Sequence, residues 1–399
     1  MTSGPTSPAR AGWLVTVVLA GLAMIGPFTI DTVFPGFETI GRDFRADATA
    51  LQQITSVYLL SFAVMSVLHG PISDSLGRKP VMIGGLLGYA VASVVCALAP
   101  SLTVLLVGRA AQGLFAGAAT IVSRAVIRDL FEGAEAQRLM ARVMMIFAIA
   151  PAVAPVIGGE ILRFGPWPWI FWFVLLYAVA MAALTAVVLP ETLVPEDRTP
   201  LRVGAVLGGL WQVARSWRFE RLALATAFTF AAYFLYVVGA PIVVVDLLGR
   251  GEQDFWMLFV PMIGGMVLGS MTTNRLAGRV DPLRMVDATM VGLVLAGLLN
   301  VGPAVLDPSL PWAVVGPALL GTAIGIAFPV LQLTMLDLFP HHRGAAASMA
   351  SFASLAFNAL LAGAVVPLVA GSLASLAAAS AGFAVLGSLL WVWHRRDGG

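Results

Sequence analysis

The sequence predicts an all-α integral membrane protein of twelve transmembrane helices in two six-helix repeats, and three observations carry that prediction. The first is composition: 59% of the 399 residues are hydrophobic and 11% charged, against roughly 25% charged in a soluble domain. The second is a series of windows free of Asp, Glu, Lys and Arg, set against the roughly 20 apolar residues a bilayer core requires of one helix. They cover 11–30, 48–73, 80–108, 143–159, 164–190, 222–245, 255–274, 288–306, 308–336 and 344–394. The third is charge asymmetry: with Arg109 set aside, eighteen Lys and Arg fall on one side of the spans so defined and four (Arg42, Arg45, Arg163 and Arg250) on the other.

Taken in order, residues 1–12 are polar and small, and the first window is read as a retained helix running to about Ile40 rather than as a cleaved signal. The window 80–108 divides at Ala99-Pro100-Ser101, its second part reaching Ser123, and 344–394 divides near Gly371; these divisions bring the count to twelve. The longest polar interruption, 191–221, contains Pro195 and Pro200 and separates an N-terminal bundle (1–190) from a C-terminal one (222–399). A weak echo supports duplication: Leu76-Gly77-Arg78 recurs as Ala277-Gly278-Arg279, and Val107-Gly108-Arg109-Ala110 as Leu320-Gly321-Thr322-Ala323. The basic side is expected to be cytoplasmic, with both termini on it. Trp167, Trp169 and Trp172, and at the other face Trp391 and Trp393, are expected as interfacial aromatics.

Composition also excludes classes. One cysteine, Cys96, forbids an intramolecular disulfide or a cysteine-based metal site. The one lysine, Lys79, precedes Pro80, so no phosphate-cradling G-x-x-x-x-G-K-[ST] loop exists to power an ATP-driven pump. A net charge of +2 gives no nucleic-acid surface. No enzyme chemistry, cofactor or metal is expected. Repeated six-helix units place a substrate site at the midplane between them, as in one large class of secondary transporters.

The turn after span two reads Gly70-Pro71-Ile72-Ser73-Asp74-Ser75-Leu76-Gly77-Arg78-Lys79. It resembles the G-x-x-x-D-[RK]-x-G-R-[RK] signature of the major facilitator superfamily. The run from Tyr58-Leu59-Leu60 to Pro80 is similar to the Bcr/CflA branch of bacterial drug:proton antiporters, multidrug efflux proteins. So are Ile30-Asp31-Thr32-Val33-Phe34-Pro35, Arg109-Ala110-Ala111-Gln112-Gly113, Arg128-Asp129, Ala154-Pro155-Val156-Ile157-Gly158-Gly159, Pro190-Glu191-Thr192-Leu193 and Phe339-Pro340. The matches are dense in the first half and sparse in the second. Ser75 replaces a basic residue, Ala154 replaces a glycine before Pro155, and the second-half loop has Arg275 where the first has Asp74.

The resemblance implies alternating access by a proton-coupled exporter of small amphiphilic drugs or metabolites. The protein would be monomeric, in the bacterial inner membrane, with lipid, protons and substrate as partners. An importer or facilitator of an endogenous solute, and a non-transporting receptor, are the alternatives. It further implies a conformational gate at Gly70, Asp74, Gly77, Arg78 and Asp129 that stabilises the outward-facing state, with Asp74 capping the span that starts near Gly344 and Arg78 pairing with Asp129. Twenty residues, about 30 Å of helix, put Asp129 on the same face as Arg78. Pro155, Gly158 and Gly159 form the antiporter motif.

Charge inside a bilayer is costly and by default functional. Asp31 and Arg109 qualify clearly; at about 1.5 Å per residue both lie roughly 10 to 14 Å below the outer surface, so they can be neighbours. Two readings stand: a structural ion pair, or a proton-coupling and substrate-binding pair in which burial and the guanidinium act oppositely on the carboxylate's proton affinity. Gln112, Tyr233, Tyr236 and Asn358 are polar groups in apolar helices that either line the substrate cavity or bond neighbouring helices. Met144, Met145, Met262 and Met266 suit an adaptable pocket.

Overall fold

The computed structural model describes residues 12–131, 133–339 and 342–397, and within them the side chains of all but 12, 27, 133–138, 141, 142, 144, 145, 147 and 148. Met144, Met145 and Pro340 of the sequence reading therefore lie outside the described side chains. Among the described residues the regular structure is helical, with no strand.

The first helix, α1 (Gly12–Asp31), stops short of the Ile40 expected for it. Pro35 has no N–H to donate to the Asp31 carbonyl four residues back, so the helix cannot run through. A 3-10 turn at Phe34–Gly36 and a short α2 (Phe37–Phe44) follow, and the crossing is bent by 51° between Trp13–Gly26 and Phe28–Phe44. Asp47 then starts α3 (Ala48–Leu76) by accepting from Ala50 N at 2.8 Å, satisfying one of the donors a helix start leaves open. Gly77, at φ 102°, turns the chain directly into α4 (Arg78–Ala97), a conformation that side chains with a Cβ resist. Ser101 caps α5 (Leu102–Leu130), at the division expected near Ala99. α6 (Gly133–Phe164) holds Pro151 and Pro155, and α7 (Pro168–Val188) completes the first group.

The 191–221 interruption is not simply polar loop. It contains α8 (Val203–Ala214), an apolar helix that buries Leu210 and Val213. Ser216 then caps α9 (Trp217–Val238), extended by a π-helical turn at Ile242–Leu247, and Asp281 caps α11 (Pro282–Leu306) after α10 (Trp256–Leu276). α12 (Trp312–Asp337) is followed by α13 (Arg343–Leu360), which runs through a π-helical turn into α14 (Val366–Val369). The chain breaks at Gly371, as expected, and a reciprocal Ser372–Ser375 cap opens α15 (Leu373–Arg396). Among the described residues ten helices are long and apolar enough to cross a membrane, eleven with the bent first crossing. α6, 32 residues long, stands in the place of the twelfth.

α1 and α3 to α7 pack on one another, and so do α9 to α13 with α15; between these groups α3 meets α13 and α6 meets α10. The face where α3 turns into α4 and where α15 ends carries Arg78, Arg128, Arg395 and Arg396 and is called the basic face below. Two of the expected interfacial tryptophans are instead buried: Trp167 donates to Asp43 Oδ2 at 2.8 Å and Trp391 to Asp287 Oδ1 at 2.7 Å. Burial satisfies their indole N–H within the bundle, while Trp169, Trp172 and Trp393 stay exposed.

Candidate functional site

The break after Asp31 organises the site. Where a helix stops, its last carbonyls lose their intrahelical donors, and the Thr29 carbonyl is reached instead by Arg109 Nη1 of α5, at 3.5 Å. The same guanidinium donates from Nε to Ile54 O of α3 at 3.1 Å and from Nη1 to Gln112 Oε1 at 2.9 Å, and it lies 4.5 Å over the Tyr58 ring. Arg109 is wholly buried, and its Nη2 has no hydrogen-bond partner. Gln112 passes the network on to Ser93 Oγ at 2.8 Å, and Tyr89 donates to the Thr29 hydroxyl.

The ion pair that adjacent depths suggested is absent: among the described residues Asp31 has no cation within 4 Å. Arg109 is spent instead on the Thr29 carbonyl near the end of α1 and on the Ile54 carbonyl within α3, which turns the guanidinium into a brace across three helices. Asp31 is 2% exposed and is the one buried carboxylate among the described residues. Phe34, three residues on, stacks with Phe259 of α10 at 6.5 Å.

Glycines of α6 fit this break closely. A Cβ on Gly158 would strike the Thr32 carbonyl, and one on Gly159 would lie 2.5 Å from the Glu252 carbonyl in the other helix group. The latter contact belongs to a seal at the end opposite the basic face. There Gln52 donates to Val238 O at 3.1 Å, Gln53 to Gly363 O at 2.9 Å and Ser56 to Ala359 O at 2.9 Å, and Gln253 reaches Gly159 O at 3.5 Å. Among the described residues these are all the side-chain hydrogen bonds joining the two groups, and all lie at that end. A cavity of about 230 Å³ remains in the seal, lined in part by Glu38, Gln52, Val245 and Asp246. Burial and the Glu38 charge raise the proton affinity of the Asp246 and Glu252 carboxyls, and Arg42 partly offsets this at Glu252.

At the basic face the loop motif is a closed circuit within the first group. Arg78 bonds Asp74, Ser73 Oγ at 2.7 Å and Asp129 Oδ2 at 3.1 Å. The Arg78–Asp129 pairing is the one the resemblance implies. The capping of α13 by Asp74 is not found among the described residues: Arg78, one turn on, holds the carboxylate, and the space around Gly344 is empty. Gly70 likewise has open space beside it. Glu191 accepts from Arg78 N, Lys79 N and Leu193 N at 3.0, 3.2 and 3.0 Å, capping α4, and Thr192 donates to Asp129 Oδ2 at 2.8 Å.

The expected cavity-lining residues therefore separate. Gln112 is committed to Arg109 and Ser93, and Tyr236 to Asn300 Nδ2, which donates to its hydroxyl at 2.6 Å. Tyr233 is buried on α9, Asn358 is half-buried on α13, and Met262 is fully buried in packing. Sequence reasoning missed Gln52, Gln53, Ser56 and Asn300. The signal was there: like Gln112, each is an uncharged polar side chain inside an apolar window.

Comparison with known proteins agrees with this architecture. The family described as the Major Facilitator Superfamily matches residues 16–362. A bicyclomycin resistance protein homolog of Haemophilus influenzae is 27% identical over 361 residues, 88% of each chain. The multidrug resistance protein MdtM of Salmonella typhimurium is 29% identical over 306 residues, 76% of this chain and 73% of that one. The crystal structure of a D-xylose-proton symporter superposes with a TM-score of 0.73 over 96% of this chain and 97% of the other, at 15% identity. The chain belongs to the major facilitator superfamily.

Proposed function

We propose that this protein is a proton-coupled exporter of small amphiphilic compounds, neutral or singly charged, acting by alternating access with Asp31 as the proton carrier. The observation that carries this reading is a lone buried carboxylate at a helix break, free of a counter-ion among the described residues. An intramembrane acid whose hydration changes with conformation exchanges its proton from side to side. The sealed end is the outer one in this reading, the basic face and both termini are cytoplasmic, and the loop circuit at Asp74, Arg78 and Asp129 is in its inward-open arrangement. The bundles 1–190 and 222–399 rock about the seal, with Gly158 and Gly159 as the points of closest approach. The names of relatives, a bicyclomycin resistance protein homolog and a multidrug resistance protein, support drug efflux over uptake.

The test is proton flux in everted vesicles challenged with a panel of amphiphilic drugs. Wild-type protein should dissipate an imposed pH gradient on drug addition, and Asp31→Asn should bind drug without doing so. Undiminished drug-driven proton flux in Asp31→Asn would remove Asp31 from the coupling role.

A further inference from the structure

At the basic face, on the outer wall of the second helix group, a groove of about 680 Å³ lies between α11 and α15. Its walls are apolar and face the surroundings of the bundle: Val291 and Leu295 are 62% and 54% exposed, positions that in a membrane meet lipid chains. Its end is not apolar. Asp287, Arg395 and Arg396 close it where the helices reach the membrane surface.

These three groups leave a surplus of positive charge. Both oxygens of Asp287 are engaged: Oδ1 accepts from the Trp391 indole at 2.7 Å and from Arg395 Nε at 3.4 Å, and Oδ2 from Arg395 Nη2 at 3.3 Å. The buried Trp391 thus fixes the carboxylate, and the carboxylate aims the Arg395 fork at long, weak distances that leave donors to spare. Arg396 has no acid within 4 Å among the described residues. Nearby, Asp397 is paired with Arg221, so among the described residues no second free carboxylate balances Arg396.

We propose that this groove is a binding site for an anionic phospholipid of the surrounding bilayer, with Arg395 and Arg396 holding the phosphate and the α11–α15 walls holding the upper acyl chain. Arginine forks match phosphate oxygens two at a time, and basic pockets between transmembrane helices suit anionic headgroups. A zwitterionic headgroup fits less well, because its ammonium finds the one carboxylate already occupied and meets Arg396 instead. The volume lies in the range of sites that enclose a small ligand, roughly 300 to 1,000 Å³, so it takes a headgroup and the start of a chain, not a whole lipid.

The experiment is native mass spectrometry of the full chain in detergent, titrated with phosphatidylglycerol or with phosphatidylcholine of the same chains. The expected result is a saturable phosphatidylglycerol adduct favoured over phosphatidylcholine, weakened about fivefold for each arginine removed in Arg396→Gln and Arg395→Gln. Arg396→Gln is the safer variant, since that side chain is exposed, pairs with no acid among the described residues, and its loss leaves the Asp287 contacts intact. Val291→Trp, which fills the wall without touching charge, should also weaken the adduct, and water-soluble glycerophosphoglycerol should not compete. Equal adducts with the two lipids, an unchanged adduct in Arg396→Gln together with Val291→Trp, or displacement by the water-soluble headgroup would each overturn the proposal.

Discussion

Removing the donors at the sealed end should open it by a calculable amount. Gln53 and Ser56 each donate one hydrogen bond to a carbonyl of the α13 segment, at 2.9 Å. Those carbonyls are exposed again when the bundles part, so the closed state gains only the net worth of each bond, about 1 kcal/mol. Gln53→Ala or Ser56→Ala should therefore raise the open fraction about fivefold and the double variant about 30-fold, if the two act independently. The reporter is Val245→Cys, whose side chain lines the cavity inside the seal. Because Cys96 is the one native cysteine and is buried, the introduced thiol reports alone. Val245 is half-buried in the closed seal, so alkylation by a hydrophilic maleimide in nanodiscs, under conditions where opening is fast relative to reaction, reads the gain in open fraction as the rate above that of the reporter alone. A double variant that alkylates at the rate of the reporter alone would refute the assignment of these bonds to the seal.

Acidity should close the same seal. Asp246 and Glu252 hold protons more tightly in the closed state than when exposed, so protonation favours closure, and the contribution is lost as pH rises through the carboxylate range; alkylation of Val245→Cys, normalised to a free thiol, should slow as pH falls from about 7 toward 5, and a flat profile would count against it. Arg109→Lys should destabilise the fold by about 2 kcal/mol, since the three donors of an ammonium sit on one atom and cannot span acceptors that the guanidinium meets from separate nitrogens, Nε for Ile54 O and Nη1 for Thr29 O and Gln112. A wild-type melting temperature in detergent would return Arg109 to a simple counter-charge role. Glu191→Ala should cost about 1 to 2 kcal/mol through loss of the α4 cap, read as a lowered Tm, whereas Glu196→Ala, in the linker and exposed, should leave Tm unchanged.

The spans were legible because a bilayer imposes one strong rule on composition, and the windows free of charge found nearly every helix. Asp31, Arg109 and the loop motif were legible because charge at those places is rare. Their partners were not. Depth along a helix says nothing of azimuth, and the effect of Pro35 on the Asp31 carbonyl lay four residues from the group it frees. The seal at Gln52, Gln53 and Ser56 was invisible for a related reason: its acceptors are backbone carbonyls, which any sequence supplies. α8 went unread because an interruption rich in arginine and proline hid a 12-residue apolar segment.

The linker described above is not shared evenly between the bundles it joins. Its first part is fastened to the first bundle: Glu191 caps α4, Thr192 holds Asp129, and Thr199 N donates to Asp74 O at 3.1 Å. Its second part, α8, packs on α13 and α9 of the other. The free leash between them is therefore Pro200-Leu201-Arg202, and four peptide steps from Thr199 to Val203 reach at most about 14 Å. That length caps how far the basic face can gape without tearing Thr199 from Asp74. Lengthening the leash with glycine and serine should widen the opening, and shortening it should hold the two bundles together at the basic face.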